Sequence, residues 1–215
     1  MENWIAPHHL TSTALEQHRR RFESDPNQSI VFDNLFIPER LDALRSLFRE
    51  DGVFKPIRTE YHQTEVLEKP QRADNLSLGW AAFLLFRAFF ASPSMLQFLR
   101  GATGIDPVSL LNLQARIMTR ANYIGPHNDG RPNRTLCGVV YVGENWRESD
   151  GGCFRFVNSD GSTRVIEPLP NRMLLFRVGR KSHHDVEPMS AVAPPRWTFS
   201  VWFGTPKKDD PSGIV

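Results

Sequence analysis

The stretch 126-PHND-129 combines an imidazole and a carboxylate two positions apart. Because residues two apart on a strand point to the same face, His127 and Asp129 can meet one metal ion. The pair alone is weak evidence, since seven His and 12 Asp among 215 residues make such spacings common by chance. A second pair of the same form does occur at His183-His184-Asp185.

The order of the chain separates these two pairs. A metal site built from two His and one carboxylate needs a further His from a distant strand. No His follows His184, whereas Asp129 has His183 and His184 lying 54 and 55 residues beyond it. A gap of that size holds several strands, enough to return the chain to the opposite wall of a barrel. Since adjacent strand residues face opposite ways, we expect only one of His183 and His184 to face the metal.

Arg196 is the third element and begins the last apolar run, 196-RWTFSVWF-203. An inward guanidinium is costly inside a barrel unless a carboxylate meets it. Its planar fork suits a dicarboxylate held through two parallel hydrogen bonds. Three metal ligands on one face leave open positions at which a 2-oxo acid can chelate and dioxygen can bind.

Short apolar runs bounded by Gly, Pro, Asn or Asp fill the chain after Asp106, a pattern typical of a sandwich or barrel of short strands. The runs are 110–118, 135–142, 153–157, 163–166, 173–178, 184–189 and 197–203. Asn158-Ser-Asp-Gly161 predicts a hairpin turn between two of them. Strands alternating with long helices are absent, which disfavours a parallel α/β sheet.

The first half of the chain favours helices. A strand is predicted at 29–36, a helix after Pro38, and a buried helix over 80–91, which is apolar nearly all round. Ser92-Pro93 predicts the start of a short helix that Gly101 ends. Residues 52–75 are polar and irregular and predict a mobile loop. We expect one domain over 1–215, with helical support at about 37–105 and a catalytic core at about 108–205.

Composition excludes several classes of protein. The 26 Lys and Arg against 24 Asp and Glu form no basic stripe, which argues against nucleic acid as the main partner. The most apolar stretch is far shorter than a membrane span. Cys137 and Cys153 form no disulfide framework or zinc motif and are expected to be buried and apolar. With no secretory signal in view, we expect a cytoplasmic protein without a nucleic-acid or membrane partner.

From about residue 111 to 203 the sequence resembles the Fe(II)/2-oxoglutarate-dependent dioxygenases, in their prolyl-hydroxylase-like branch. The stretches that carry the resemblance are Pro126-His-Asn-Asp129, Asn133-Arg-Thr with Tyr141 and Trp146, Gly151-Gly152, Pro170-Asn-Arg-Met-Leu-Leu-Phe176, His184-Asp-Val-Glu-Pro188, and Arg196 with Trp202-Phe203. The resemblance implies a mostly β fold with N-terminal helices and a double-stranded β-helix, or jelly-roll, core.

The resemblance also implies the site. It assigns Fe(II) to His127, Asp129 and His184, and the distal carboxylate of the co-substrate 2-oxoglutarate to Arg196. The further co-substrate contacts that it implies are Tyr141 as hydroxyl donor, Ser200 and Trp202 on the strand phase of Arg196, and Phe154 as an apolar wall. The family often has a tyrosine about nine residues before the first iron histidine, where this chain has Met118.

The implied activity is hydroxylation of an unactivated C–H bond with O2, with release of succinate and CO2. Because Asp129 is present where related halogenases have a small residue, hydroxylation is favoured over halogenation. The first substrate hypothesis is an amino acid or a small molecule derived from one, with Arg120, Arg131 or Arg134 as candidate clamps. The alternatives are a prolyl-type hydroxylase of peptides or proteins, a jelly-roll binding module without catalysis, and a cupin-type metal protein. The oligomeric state is not predicted.

Overall fold

The computed structural model describes residues 4–67 and 77–206, which form four α-helices and eleven β-strands. The helices are α1 (Ser12–Ser24), α2 (Pro38–Phe48), α3 (Leu78–Phe90) and α4 (Pro93–Thr103). The strands are β1 (Ser29–Phe32), β2 (Phe54–Arg58), β3 (His62–Leu67), β4 (Ser109–Met118), β5 (Tyr123–His127), β6 (Arg134–Tyr141), β7 (Phe154–Val157), β8 (Thr163–Ile166), β9 (Arg172–Arg177), β10 (His184–Val186) and β11 (Arg196–Gly204).

All paired strands are antiparallel and belong to one curled sheet in the order β1-β9-β6-β11-β4-β3-β5-β10-β7-β8, with β2 paired to β3. The mostly β architecture predicted from the sequence is therefore confirmed. The turn at 158–161 joins β7 to β8, and Gly161 occupies the left-handed region at φ 82°.

Strand alternation gives the sheet two apolar faces. On β11, Phe199, Val201 and Phe203 pack in the core beneath the helices. The intervening residues Thr198, Ser200 and Trp202 line a cavity within the curl. A second apolar cluster, which includes Tyr141, Phe154, Phe156 and Phe176, forms the interior on that side. The period of two along β11 thus separates the residues that hold the helices from those that face the cavity.

The helices follow from their caps and apolar spacing. Ser77 and Ser92 accept hydrogen bonds from backbone N–H groups in the first turns of α3 and α4. The prediction that Gly101 ends α4 is wrong, because the helix continues to Thr103 and Gly104 provides the left-handed C-cap at φ 71°. Gly101 is instead the site where Leu15 of α1 packs closely.

Two further predictions in this half need correction. The segment 52–75 is not irregular where the structure describes it, since β2 and β3 form a hairpin; residues 68–76 lie outside the described part. The prediction of an all-round buried helix at 80–91 is wrong on one side, because Leu84 and Leu85 are 44% and 64% exposed. In the described residues no single helix is long and apolar enough to cross a membrane. Helices α3 and α4 taken together, with a bend of 55° between them, would be long and apolar enough, but only by length and composition.

Candidate metal and co-substrate site

Two imidazoles and one carboxylate converge at the junction of β5 and β10. The candidate ligand atoms of His127, Asp129 and His184 all lie within 4.8 Å of one another. His127 stands directly opposite His184 in the register of the two strands, and their ring centroids are 4.2 Å apart. The expected return to an opposite barrel wall is therefore wrong: the distal histidine comes back on the neighbouring strand.

Backbone carbonyls orient both histidines. Nδ1 of His127 lies 3.0 Å from the carbonyl oxygen of Gly125, and Nδ1 of His184 lies 2.6 Å from that of Ser182. A carbonyl oxygen can only accept, so each Nδ1 carries the proton and each Nε2 keeps a lone pair for a metal. Burial, and next the neighbouring His127, lowers the pKa of His184, which keeps its ring neutral. His183 is exposed.

Asp129 is held by two neighbours. Nη1 of Arg134 lies 3.2 Å from Oδ1 of Asp129, and the Cys137 thiol donates to Oδ2 at 3.2 Å. Burial, and next Asp129, raises the pKa of the Cys137 thiol, which therefore stays protonated and able to donate. The guanidinium of Arg134 also lies over the ring of Trp202 at 4.6 Å. Oδ2 of Asp129 is 3.7 Å from Nε2 of His184 and is aimed at the same point as both imidazoles.

A cavity of about 350 Å³ contains this cluster and extends along β4 and β11. Arg196 lines it and is 5% exposed. Its Nη1 donates to Sδ of Met118 at 3.3 Å, a weak partner, and its Nε has none among the described residues. A guanidinium buried in this way lacks the anion that would compensate its desolvation. Ser200 and Trp202 line the same cavity, as does the apolar Phe154.

Tyr141 lies beside Arg196 rather than on the cavity wall. Its ring centroid is 5.1 Å from Cζ of Arg196, and its hydroxyl has no hydrogen-bond partner in the described part of the chain. Burial raises the pKa of Tyr141, so the hydroxyl keeps its proton. A buried hydroxyl beside a buried guanidinium whose described acceptor is a thioether sulfur suits an anionic group.

The backbone near Gly152 lets Arg196 come close. Gly152 has φ 73°, and a Cβ built there would lie 3.1 Å from Cδ of Arg196 and also collide with Met189. Both the left-handed conformation and the close approach therefore require glycine.

Sequence reasoning missed several cavity residues. His62 was not assigned to the site from the sequence, yet it is half-buried with its ring 5.2 Å from that of His127. Of the candidate clamps, Arg131 and Arg134 line the cavity and Arg120 does not. The sequence interpretation also missed a row of polar residues on β4 that lines the cavity, Asn112, Gln114 and Arg116. Their occurrence at every second position was a signal that could have found them.

The comparisons with known proteins agree with this geometry. The model of the 2OG-Fe(II) oxygenase superfamily matches residues 113–204. The chain is 29% identical over 192 residues to prolyl 3-hydroxylase sudestada1 of Drosophila melanogaster, an alignment covering 84% of this chain. The chain spans about a third of the length of that relative, since the alignment covers 35% of it.

Solved structures share the fold. A Pseudomonas putida prolyl-4-hydroxylase matches with a TM-score of 0.67 and 19% identity, covering 90% of this chain and all of that one. A Trichoplax adhaerens prolyl hydroxylase, solved with a peptide fragment of the hypoxia inducible factor oxygen degradation domain, gives a TM-score of 0.65 and 16% identity, covering 90% and 93%. The segment 113–204 therefore matches the 2OG-Fe(II) oxygenase superfamily, and the chain is similar to prolyl-hydroxylase-like members of that superfamily in sequence and in fold.

Proposed function

We propose that this protein is an Fe(II)- and 2-oxoglutarate-dependent hydroxylase that acts on a prolyl residue of a peptide or protein. The observation that carries the proposal is the convergence of His127, Asp129 and His184 on one point of a cavity that also holds Arg196, a buried cation without an ion-pair partner among the described residues. In this interpretation the curled sheet is the double-stranded β-helix of the family.

The donor set fits Fe(II). Two neutral imidazoles and one carboxylate with an open side are the ligand type used by non-haem iron oxygenases. When bound, Fe(II) supplies the activation of O2, one atom of which enters succinate as 2-oxoglutarate loses CO2, while the other enters the substrate C–H bond. The chain's own contribution is orientation: the carbonyls of Gly125 and Ser182 fix the imidazoles, and Arg134 with Cys137 fixes Asp129.

Arg196 would hold the distal carboxylate of 2-oxoglutarate. Within the described residues, Nε of its buried guanidinium and the Tyr141 hydroxyl have no acceptor, which a carboxylate would provide. Ser200 and Trp202 follow on the same strand face and complete this part of the proposed co-substrate site. Met118 stands where relatives often have a tyrosine, and its sulfur is only a weak acceptor for Nη1 of Arg196, which a ligand carboxylate would replace.

A prolyl substrate is supported by the relatives rather than by a side chain of this chain. The curated relative is named a prolyl 3-hydroxylase, and prolyl hydroxylases are among the structural neighbours. These names favour a prolyl residue over an amino acid or a small molecule derived from one, the first substrate hypothesis from the sequence.

The test is succinate formation by the Fe(II)-loaded protein given 2-oxoglutarate, O2 and pools of proline-containing peptides, with oxygen incorporation into proline read by mass spectrometry. We expect peptide-dependent succinate release that matches the hydroxylated product mole for mole. Free amino acids form a parallel arm, and turnover there but not with peptides would contradict the prolyl assignment.

Arg196→Gln separates catalysis from mere metal binding. We expect this variant to bind Mn(II) normally but to need about 10-fold to 100-fold more 2-oxoglutarate, because one charge-assisted hydrogen-bond pair is lost. Thr198→Ala, a neighbouring polar residue on the same strand face without a charge, is the matched control. No succinate under any condition, together with no effect of 2-oxoglutarate on the visible spectrum of the Fe(II) protein, would support a binding module instead.

A further inference from the structure

We propose that Arg116 is a second anion-binding residue of the cavity, which holds a carboxylate of the substrate itself. This inference rests on the proposed function and adds to it a requirement for negative charge on the substrate close to the carbon that is oxidised. Arg116 lies on β4 in a row of polar side chains that face the cavity, with Asn112 and Gln114. None of these three residues belongs to the metal cluster or to the proposed co-substrate contacts.

Arg116 occupies a defined place in the cavity. It is 9% exposed and lines the same cavity as the metal cluster. The register of β4 against β11, in which Arg196 pairs with Met118, puts Arg116 beside Thr198 on the cavity face. Arg196 and Asp129 line the same cavity. The guanidinium of Arg116 therefore borders the space that also holds the proposed co-substrate position and the metal cluster.

The hydrogen bonds of Arg116 leave its charge uncompensated. Nη1 donates to Oγ1 of Thr64 at 2.6 Å and Nη2 to Oε1 of Gln114 at 2.8 Å, both neutral acceptors. Nε has no partner among the described residues. Burial, and next Arg196, lowers the pKa of Arg116 to about 10, which leaves it cationic at neutral pH.

A purely structural role does not account for this arrangement. The backbone already joins β3 to β4, with Val66 paired to Arg116. A neutral residue could bond Thr64 without the cost of desolvating a cation. Thr64 and Gln114 instead hold the planar group in one orientation, which is how a recognition residue is made ready for its ligand.

The net charge of the cavity also favours a negatively charged substrate. Its described lining residues include four arginines and one carboxylate, Asp129. Fe(II) and the 2-oxoglutarate dianion would add charges that cancel, so the cavity would stay cationic with both bound. Arg134 is paired with Asp129, Arg131 is exposed, and Arg196 is assigned to the co-substrate. Arg116 is the buried cation that remains for the substrate.

The carboxylate has two chemical sources, which the test separates. It is either an acidic side chain next to the target proline in a peptide, or the α-carboxylate of a free amino acid. Binding is measured by calorimetry on protein loaded with Mn(II) and 2-oxoglutarate, which does not turn over. The probes are blocked peptides with a central proline and Glu or Gln at each neighbouring position in turn, and the free amino acids with their primary amides.

In the wild-type protein we expect the carboxylate member of at least one matched pair to bind about tenfold more tightly or better, as a charge-assisted hydrogen bond provides. Arg116→Gln should abolish that preference, while Arg120→Gln, the same change of charge at an exposed position outside the cavity lining, should retain it. The 2-oxoglutarate affinity of Arg116→Gln, read from the visible spectrum of the anaerobic Fe(II) protein, should stay within about twofold.

Three results would overturn the inference: equal binding of carboxylate and amide probes by the wild-type protein, retention of the preference in Arg116→Gln, or loss of 2-oxoglutarate binding in that variant. The first of these does not depend on any variant folding. Hydroxylation is recorded separately by mass spectrometry. Arg116-dependent carboxylate binding without proline hydroxylation would contradict the proposed function alone, and proline hydroxylation without carboxylate preference would contradict this inference alone.

Discussion

The spacing His-x-Asp occurs twice in the chain, once inside the cavity and once outside it. At His127 and Asp129 both side chains turn into the cavity and meet His184. At His183 and Asp185 the histidine is exposed, and the aspartate pairs with Arg155 outside the cavity. The spacing establishes that two side chains share a face; the neighbours across the sheet determine which face it is.

Replacing each aspartate with alanine gives the largest expected contrast. We expect Asp129→Ala to lower 2-oxoglutarate turnover about 100-fold or more, because removing a ligand should cost at least as much as removing a residue that orients one. Asp185→Ala should keep turnover within a few-fold. Succinate release at saturating Fe(II) and the best peptide measures both, and wild-type turnover by Asp129→Ala would contradict the ligand assignment.

Stabilisation by a bound metal compares Asp129 with Asp185 in a second way, which does not depend on catalysis. Mn(II) at about 100 times its dissociation constant should raise the free energy of unfolding by about 2.7 kcal/mol in the wild-type protein. Asp185→Ala should gain as much, and Asp129→Ala little or nothing. Thermal unfolding with and without Mn(II) provides the measurement. Equal stabilisation of both variants would place the metal elsewhere.

Much of this contrast could be predicted from the sequence. Absence of any histidine after His184 left the second pair without a distal partner, and strand alternation allowed only one of His183 and His184 to point inward. The phase of β11 likewise grouped Arg196, Ser200 and Trp202, which the structure brings to one cavity. The grouping of these side chains needed only a period of two and the order of the chain, whereas the choice of His184 over His183 and the co-substrate role of Arg196 were implied by the family resemblance.

What could not be predicted depends on contacts between distant segments. Thr64 reaches Arg116 across 52 positions, and His62 reaches the metal cluster only because β3 pairs with β5. The β2–β3 hairpin itself was missed, because its polar, half-exposed residues lack a strand's apolar alternation and Pro56 lies within β2. Local patterns do not encode which polar strand will border a cavity.

A substitution at Arg155 tests whether Asp185, the aspartate outside the cavity, contributes to stability through its ion pair. It stands across the sheet from Asp185 and makes two hydrogen bonds of 2.8 Å to that carboxylate, with Glu187 3.4 Å away. Asp185 is 6% exposed, so Arg155→Met leaves its charge poorly compensated. We expect a loss of about 2 kcal/mol in the free energy of unfolding, less than for a fully buried pair because the Arg155 side chain is 35% exposed.

Urea unfolding measures this loss, and the double variant Arg155→Met with Asp185→Asn is the control. If the loss of stability comes from the Asp185 carboxylate left without a counter-charge, the double variant should recover part of the free energy of unfolding. Mn(II) binding should be unchanged in both. A fall in Mn(II) affinity as large as that of Asp129→Ala would mean that the two sides of the sheet are not separate.

Arg134 is the counterpart of Arg155 on the cavity side, and its removal should produce the smallest of these effects. Arg134→Met leaves Asp129 oriented by Cys137 alone, so we expect Mn(II) affinity to fall by about tenfold, as when a residue that orients a ligand is lost. Arg131→Met, a neighbouring charge on the cavity with no described contact to Asp129, is the matched control and should bind Mn(II) as the wild-type protein does. Calorimetric titration decides between them. Equal losses in both variants would mean that Arg134 acts through general charge, and the orienting role that distinguishes it from Arg155 would be wrong.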